Sequence, residues 1–227
     1  MTESVLKPVL DGSCTQCPRL ARFLAGIRAE RPDYFARPVP PFGDARAALL
    51  VVGLAPGMHG ANRTGRPFTG DFAGILLYAT LHKFGYASHG GSDDPRDGLR
   101  LKGCRVTNAV KCLPPDNKPE GSEVRRCNPF LAAELEAIRP RAVLALGAVA
   151  HQAVLRACVA KPASFPFAHR AAHMLPGVSR SGRARPFRLF DSYHCSRYNT
   201  QTKRLTTAMF EAVFRDIDDF LANTALR

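Results

Sequence analysis

No stretch of this 227-residue chain approaches the run of about 20 apolar residues that a membrane-spanning helix requires. Its first residues, MTESVLKPVLDG, lack the basic-then-apolar layout of a secretory leader. Both absences predict a cytoplasmic protein with no membrane partner. Acidic residues are scarce: 19 Asp and Glu stand against 32 Lys and Arg, a formal net charge of +13. From Ala137 to Phe190 there are none, while Arg139, Arg141, Arg156, Lys161, Arg170, Arg180, Arg183, Arg185 and Arg188 all carry positive charge. A one-signed segment of that length predicts a polyanionic partner and reads as a phosphate-backbone footprint, with the loop SRSGRARP following a groove. The phosphate-cradling loop GxxxxGK[ST] and the dinucleotide fingerprint GxGxxG are both missing, which argues against a nucleoside triphosphate or a dinucleotide. No internal repeat is present.

What is there alternates. The apolar run Ala47–Val52 opens a strand over 47–54, followed by a helix near 72–86. Further strands are expected at 104–110, Ala142–Leu146 and 187–193, with helices near 122–138, 148–160 and 203–222. Strands alternating with helices predict right-handed crossovers and a sheet covered on both faces. The expected fold is α/β: a three-layer α/β/α sandwich around a central, mainly parallel four-stranded sheet, forming one domain over residues 1–227. Residues 1–45 form an N-terminal appendage, with a helix over Leu20–Arg31 and the proline-rich linker ARPVPPFGD.

The first strand runs directly into GLAPGMHGANRTGRPFTGD, residues 53–71. Open α/β sheets keep their ligand crevice at the carboxyl ends of the strands. Five glycines let this loop approach a flat, uncharged ligand, Phe68 offers a stacking face, and Asp71 a carboxylate. Asp71 also precedes a helix, so capping and catalysis both stand as readings of it. Asn108 ends the second strand with an amide that donates and accepts at once. His194 ends the fourth, aimed at the same crevice. Seven cysteines in a reducing compartment do not suggest a disulfide framework. Cys14 and Cys17 form a CxxC before the first helix, and Cys112 and Cys127 flank the loop LPPDNKPEGSEVRR. Four thiolates suit zinc or an iron–sulfur cluster, a CxxC also suits a redox pair, and local spacing does not choose. Cys104 and Cys158 read as buried structural thiols.

Taken together, residues 53–71, VTNAVKCLPPDNKP (106–119) and SYHCSRYNTQTKRLT (192–206) resemble family 5 of the uracil-DNA glycosylase superfamily. The third segment is similar to that family's H-P-S-x-x-N motif. The resemblance covers nearly the whole chain and implies a monofunctional hydrolase that removes uracil, and also hypoxanthine or other deaminated or damaged bases, from DNA. The product would be an abasic site for base excision repair. It implies action on uracil-containing DNA in the cytoplasm, associated with the nucleoid; a monomer is expected, since no seam for self-association is found. It also implies a [4Fe–4S] cluster on Cys14, Cys17, Cys112 and Cys127, the first two supplied by the appendage.

The roles follow residue by residue. Phe68 would stack on uracil, Asn108 would read O4 and N3, and His194 would donate to O2 as charge develops on the leaving base. Asp71 would polarise the attacking water or steady the oxocarbenium-like sugar. Gly53, Ala55, His59 and Asn62 would shape the base pocket. Arg63, Ser196, Arg197, Tyr198 and Asn199 would hold DNA, with Tyr198 as the wedge. Other families of the superfamily keep their water-activating residue early in the first motif, where this chain has Leu54 and Ala55. Two departures stand out: Gly57-Met58 replaces the usual Ala-Ala, and Cys195 replaces a proline, freeing the backbone of a loop expected to enter DNA. No lysine stands out as a Schiff-base nucleophile, so strand cleavage is not expected. The rival readings are a non-catalytic reader of damaged DNA and an iron–sulfur redox protein.

Overall fold

The computed structural model describes residues 11–178 and 184–225. After helix α1 (Pro18–Glu30) the chain enters a six-stranded sheet of β1 (Phe42–Gly43), β2 (Leu49–Gly53), β3 (Cys104–Asn108), β4 (Ala142–Leu146), β5 (Ala172–Leu175) and β6 (Phe187–Ser192). The strand order is β1-β3-β2-β4-β6-β5. The expected four strands are its parallel centre, with Val51 level with Val106 on one side and with Leu144 on the other, and Leu144 level with Phe190. The expectation of four strands in all is corrected to six, because β1 and β5 add antiparallel edges.

Side chains alternate across this sheet, and both faces are covered. Leu49, Val51, Val106 and Leu144 pack against α3 (Phe72–Lys83) and α7 (Thr207–Ala225). Leu50, Val52, Val143 and Leu189 pack against α4 (Gly121–Ile138) and α5 (Ala148–Ala157). β2 and β4 are buried at every residue, as parallel strands between two helical layers must be. Two short helices, α2 (Ala61–Thr64) and α6 (Arg197–Gln201), lie in the loops after β2 and β6. Because β2 is flanked by β3 on one side and β4 on the other, its carboxyl end is the point where strand order reverses and a crevice opens.

β6 carries a buried polar anchor just before this crevice. Asp191 is fully buried and bonds His151 Nδ1 at 2.8 Å, while His151 Nε2 donates to the Phe165 carbonyl at 2.9 Å. A third apolar cluster joins α1, through Leu20, Leu24 and Ile27, to Val110, Leu113 and Phe130. No helix among the described residues is long and apolar enough to cross a membrane.

Candidate active site

The loops after β2, β3 and β6 enclose a cavity of about 370 Å³ whose lining includes Leu54, Ala55, Phe68, Asp71, Asn108 and His194. Its aromatic wall is built by strain that the surroundings hold in place. Phe68 has φ +54°, a left-handed conformation that costs a non-glycine residue of order 1–3 kcal/mol. Tyr78 Oη donates to the Pro67 carbonyl at 2.8 Å, and the Arg66 guanidinium grips both oxygens of Asp97 at 2.9 and 2.6 Å. Arg66 also bonds Thr69 and Ser92, tying the loop to the turn-rich segment beyond α3. Held this way, the Phe68 ring lies 6.0 Å from the His194 ring, with the planes 27° apart.

Gly53 makes this arrangement possible. A Cβ there would stand 2.4 Å from Asn108 Oδ1 and 2.5 Å from Phe68 Cζ. Asn108 itself is buried, and its Oδ1 has no hydrogen-bond partner in the protein. A buried acceptor without a partner is costly unless a ligand or water supplies a donor.

The structure shows the capping half of the two readings of Asp71. Oδ1 accepts from Gly74 N at 2.9 Å and caps α3. The other oxygen lies beside Gly57 and Gly60, where a Cβ would stand 3.8 and 2.5 Å from it. Burial pushes the Asp71 pKa up against the two backbone N–H bonds that pull it down. Enclosure by protein lowers His194 to about 4, so the ring is neutral and presents one N–H. The His194 carbonyl accepts from Asn199 Nδ2 at 2.8 Å. Cys195 is wholly buried, and burial together with the Asp71 carboxylate pushes its thiol pKa up. The loop that lost a proline is therefore held by core packing and by Asn199.

The family model described as the Uracil DNA glycosylase superfamily matches residues 40–218. A type-5 uracil-DNA glycosylase of Thermus thermophilus is 46% identical over 210 residues, covering 90% of this chain and 92% of the relative. A type-5 uracil-DNA glycosylase of Pyrobaculum aerophilum is 42% identical, covering 89% and 87%. The chain belongs to the type-5 branch of the uracil DNA glycosylase superfamily. A type-4 uracil-DNA glycosylase of Pyrobaculum aerophilum is 33% identical over about half of each chain, 54% and 55%.

Within this type-5 glycosylase fold, not every expected pocket residue reaches the cavity. His59 is exposed and its Nδ1 pairs with Tyr34 Oη at 2.8 Å, so it faces away from the cavity lining. Asn62 is buried with both amide atoms unpartnered, and it is not among the lining residues. Arg63 is exposed, its Nε bonded to the His59 carbonyl at 2.8 Å. Ser196 lines the cavity and caps α6 by accepting from Asn199 N. Arg197 stacks over Phe72 at 5.0 Å, and Tyr198 stands in solvent. Asn117, in the tight turn Pro115–Asn117, lines the cavity and went unnoticed in sequence; the surrounding PPDNKP is a turn signal.

The phosphate footprint read from the acid-free segment needs revision. Arg170 is paired with Asp216 of α7 at 2.7 and 2.9 Å, Arg141 bonds the Leu221 carbonyl, and Arg188 stacks over Phe190 and Phe220. The one acid among these partners, Asp216, comes from a helix outside the window. Arg180 and Arg183 lie outside the described residues.

Cys14, Cys17, Cys112 and Cys127 line one small cavity where α1 meets the β3–α4 loop and the first turns of α4. Burial and the three neighbouring thiols push Cys112 up to about 12, and Lys111 N donates to Cys127 Sγ at 3.3 Å. Among the described residues no group of three or more His, Cys, Asp or Glu stands in metal-ligating geometry. The four thiols converge on that cavity, and none of the seven cysteines is in a disulfide. Four thiol donors, with a backbone N–H on one sulfur, suit zinc and an iron–sulfur cluster alike.

Proposed function

We propose that this chain is a monofunctional DNA glycosylase that hydrolyses the N-glycosidic bond of uracil in DNA and leaves an abasic site for repair. The observation that carries this reading is the orphaned Asn108 Oδ1 in a cavity walled by Phe68. Uracil N3–H would satisfy it, while Asn108 Nδ2 donates to O4. Extruding the nucleotide costs roughly a few kcal/mol, least at a mismatch. Stacking on Phe68 offsets part of that cost, since base–aromatic stacking is worth about 1–3 kcal/mol.

As the bond breaks, the base takes the bonding electron pair and becomes an anion. The neutral His194 ring donates its N–H to O2 and stabilises that charge; such a preorganised donor is worth about 2.7–4 kcal/mol. The uncapped oxygen of Asp71 orients the attacking water, accepts its proton and steadies the cationic sugar. Arg63, Ser196, Arg197, Tyr198 and Asn199 serve the DNA side, whereas Gly53 and Ala55 shape the pocket. The cavity is lined by small residues at Gly57, Ala61 and Ala73, which supports admission of hypoxanthine and other altered bases beside uracil.

Cys14, Cys17, Cys112 and Cys127 would hold a [4Fe–4S] cluster, which when bound supplies a cross-link between α1 and the main body. Glycoside hydrolysis exchanges no electrons, so the four cysteines act in folding. Cys17→Ala is expected to lower soluble yield and thermal midpoint before it lowers turnover of whatever folds. Soluble, cluster-free protein at full activity and stability would contradict the assignment. The cluster ligands tie the N-terminal segment, described from residue 11 to 45, to a single working domain, and the chain acts as a monomer in the cytoplasm.

The decisive experiment is base release from a labelled duplex with one uracil opposite guanine, run beside one with hypoxanthine. Alkali-sensitive cleavage at the marked position is the expected result. Tight binding without cleavage would replace the enzyme with a reader of damaged DNA.

A further inference from the structure

Large apolar side chains that stand in solvent are few among the described residues: Ile75, Val149, Val159, Met174 and Tyr198. Ile75, Val149 and Tyr198 fall in the first turns of α3, α5 and α6, the helices that leave the carboxyl edge of the sheet. Ile75 is 63% exposed and Tyr198 69%. The helix bearing Ile75 starts at the cavity, where Asp71 caps it and Ala73 lines the wall. Three residues before Ile75, on an adjoining part of the same helix surface, Phe72 lies under the Arg197 guanidinium at 5.0 Å. α3 and α6 therefore meet in a ridge at the lip of the cavity, with an apolar crest and a cation on its flank.

The fold gives no reason for isoleucine on that crest. A β-branched residue is a weaker helix former than alanine, and an exposed one buries little of itself in the protein. Duplex DNA that has lost a nucleotide from its stack presents apolar base faces at the gap, beside phosphates that the Arg197 charge complements. This step rests on the glycosylase reading above. We propose that Ile75 is a wedge residue that enters the duplex beside the extruded nucleotide from the α3 side, while Tyr198 enters from α6. It acts by keeping the gap filled, so it positions the base and takes no part in bond cleavage.

The test compares single-turnover base release from uracil in duplex and in single-stranded DNA. A parallel duplex carries 2-aminopurine next to the uracil to report unstacking. Ile75→Ala places the best helix former at an exposed position, so it folds. It is expected to slow release from duplex about fivefold to tenfold, to change single-stranded release by less than about twofold, and to weaken the 2-aminopurine rise. Ile75→Met, which restores apolar bulk, is expected to recover most of the duplex rate. Val159→Ala, at an exposed valine on the α5 C-terminal side, is expected to change neither. Equal losses on both substrates, or an unaffected duplex rate, overturn the proposal. A dimer that Ile75→Ala dissociates would assign the ridge to a second copy of the chain and also overturn it. If the wild-type chain releases no base from either substrate, the activity reading falls. The fluorescence arm then still decides the wedge, and an unchanged rise in Ile75→Ala rejects it.

Discussion

Asp71 caps α3 through one oxygen, and the proposed mechanism gives the other to the attacking water; substitutions separate the two roles. Asparagine keeps a good N-cap, so Asp71→Asn is expected to shift the thermal midpoint little while lowering base release by about 100-fold or more. Asp71→Ala is expected to lose the same activity and roughly 1 kcal/mol of stability besides, measured by urea unfolding. Activity near wild type in Asp71→Asn would leave the carboxylate as a cap alone. His194 has a different signature, in pH. Its pKa falls from 6.5 to about 4 on folding, so the unfolded chain binds its proton first. The stability it contributes is present above pH 6.5 and drains away as pH falls toward 4, by about 3 kcal/mol in all. Urea midpoints between pH 7 and 4 should show this loss in the wild type and not in His194→Asn. If the two curves run parallel, His194 titrates normally and its neutral state at pH 6 is not assured.

At the scale of elements, the working unit is the strap between α2 and α3, which holds Phe68 at φ +54°. Its clamp is the largely buried pair of Arg66 and Asp97, at 7% and 19% side-chain exposure. Arg66→Met strands the Asp97 carboxylate and is expected to cost about 3 kcal/mol in urea unfolding, with base release falling as Phe68 relaxes. Stability loss with full activity would show that Phe68 needs no strap. Much of this scale was legible in sequence. β2 and β4 are near-continuous apolar runs, as strands buried on both faces must be, and the motif 53–71 stands where β2 ends. β1 escaped notice because two residues show no period. β5 escaped because Ala172, His173 and Met174 are not buried, so AHML offers no apolar face to read. His59 misled for a related reason: its orientation is set by Tyr34, a partner 25 residues upstream that no local pattern reveals.

Charge belongs to the whole molecule, and the fold redistributes it in a way that composition conceals. The acid-free segment looked like a continuous basic surface, yet Arg170 is neutralised by Asp216, and Arg141 and Arg188 lie against α7. Among the described residues, the segments that follow β2 and β6 carry the exposed cations Arg63, Arg197, Lys203 and Arg204. Two of them rest their guanidinium planes on aromatic rings, Arg197 on Phe72 and Arg204 on Tyr193 at 4.6 Å, which orients the groups without cancelling their charge. If these four make the phosphate contacts, each releases close to one counterion. The logarithm of affinity for undamaged duplex should then fall against the logarithm of salt with a slope of about −4. Arg197→Ala and Arg204→Ala should each make that slope shallower by about one, with little change in the preference for uracil over thymine. Arg170→Ala should leave it unchanged, because its charge is already spent within the fold. A slope that responds to Arg170 and ignores Arg197 would move the DNA from the crevice to the α7 face. That result would detach binding from the cavity where Asn108 waits for a donor.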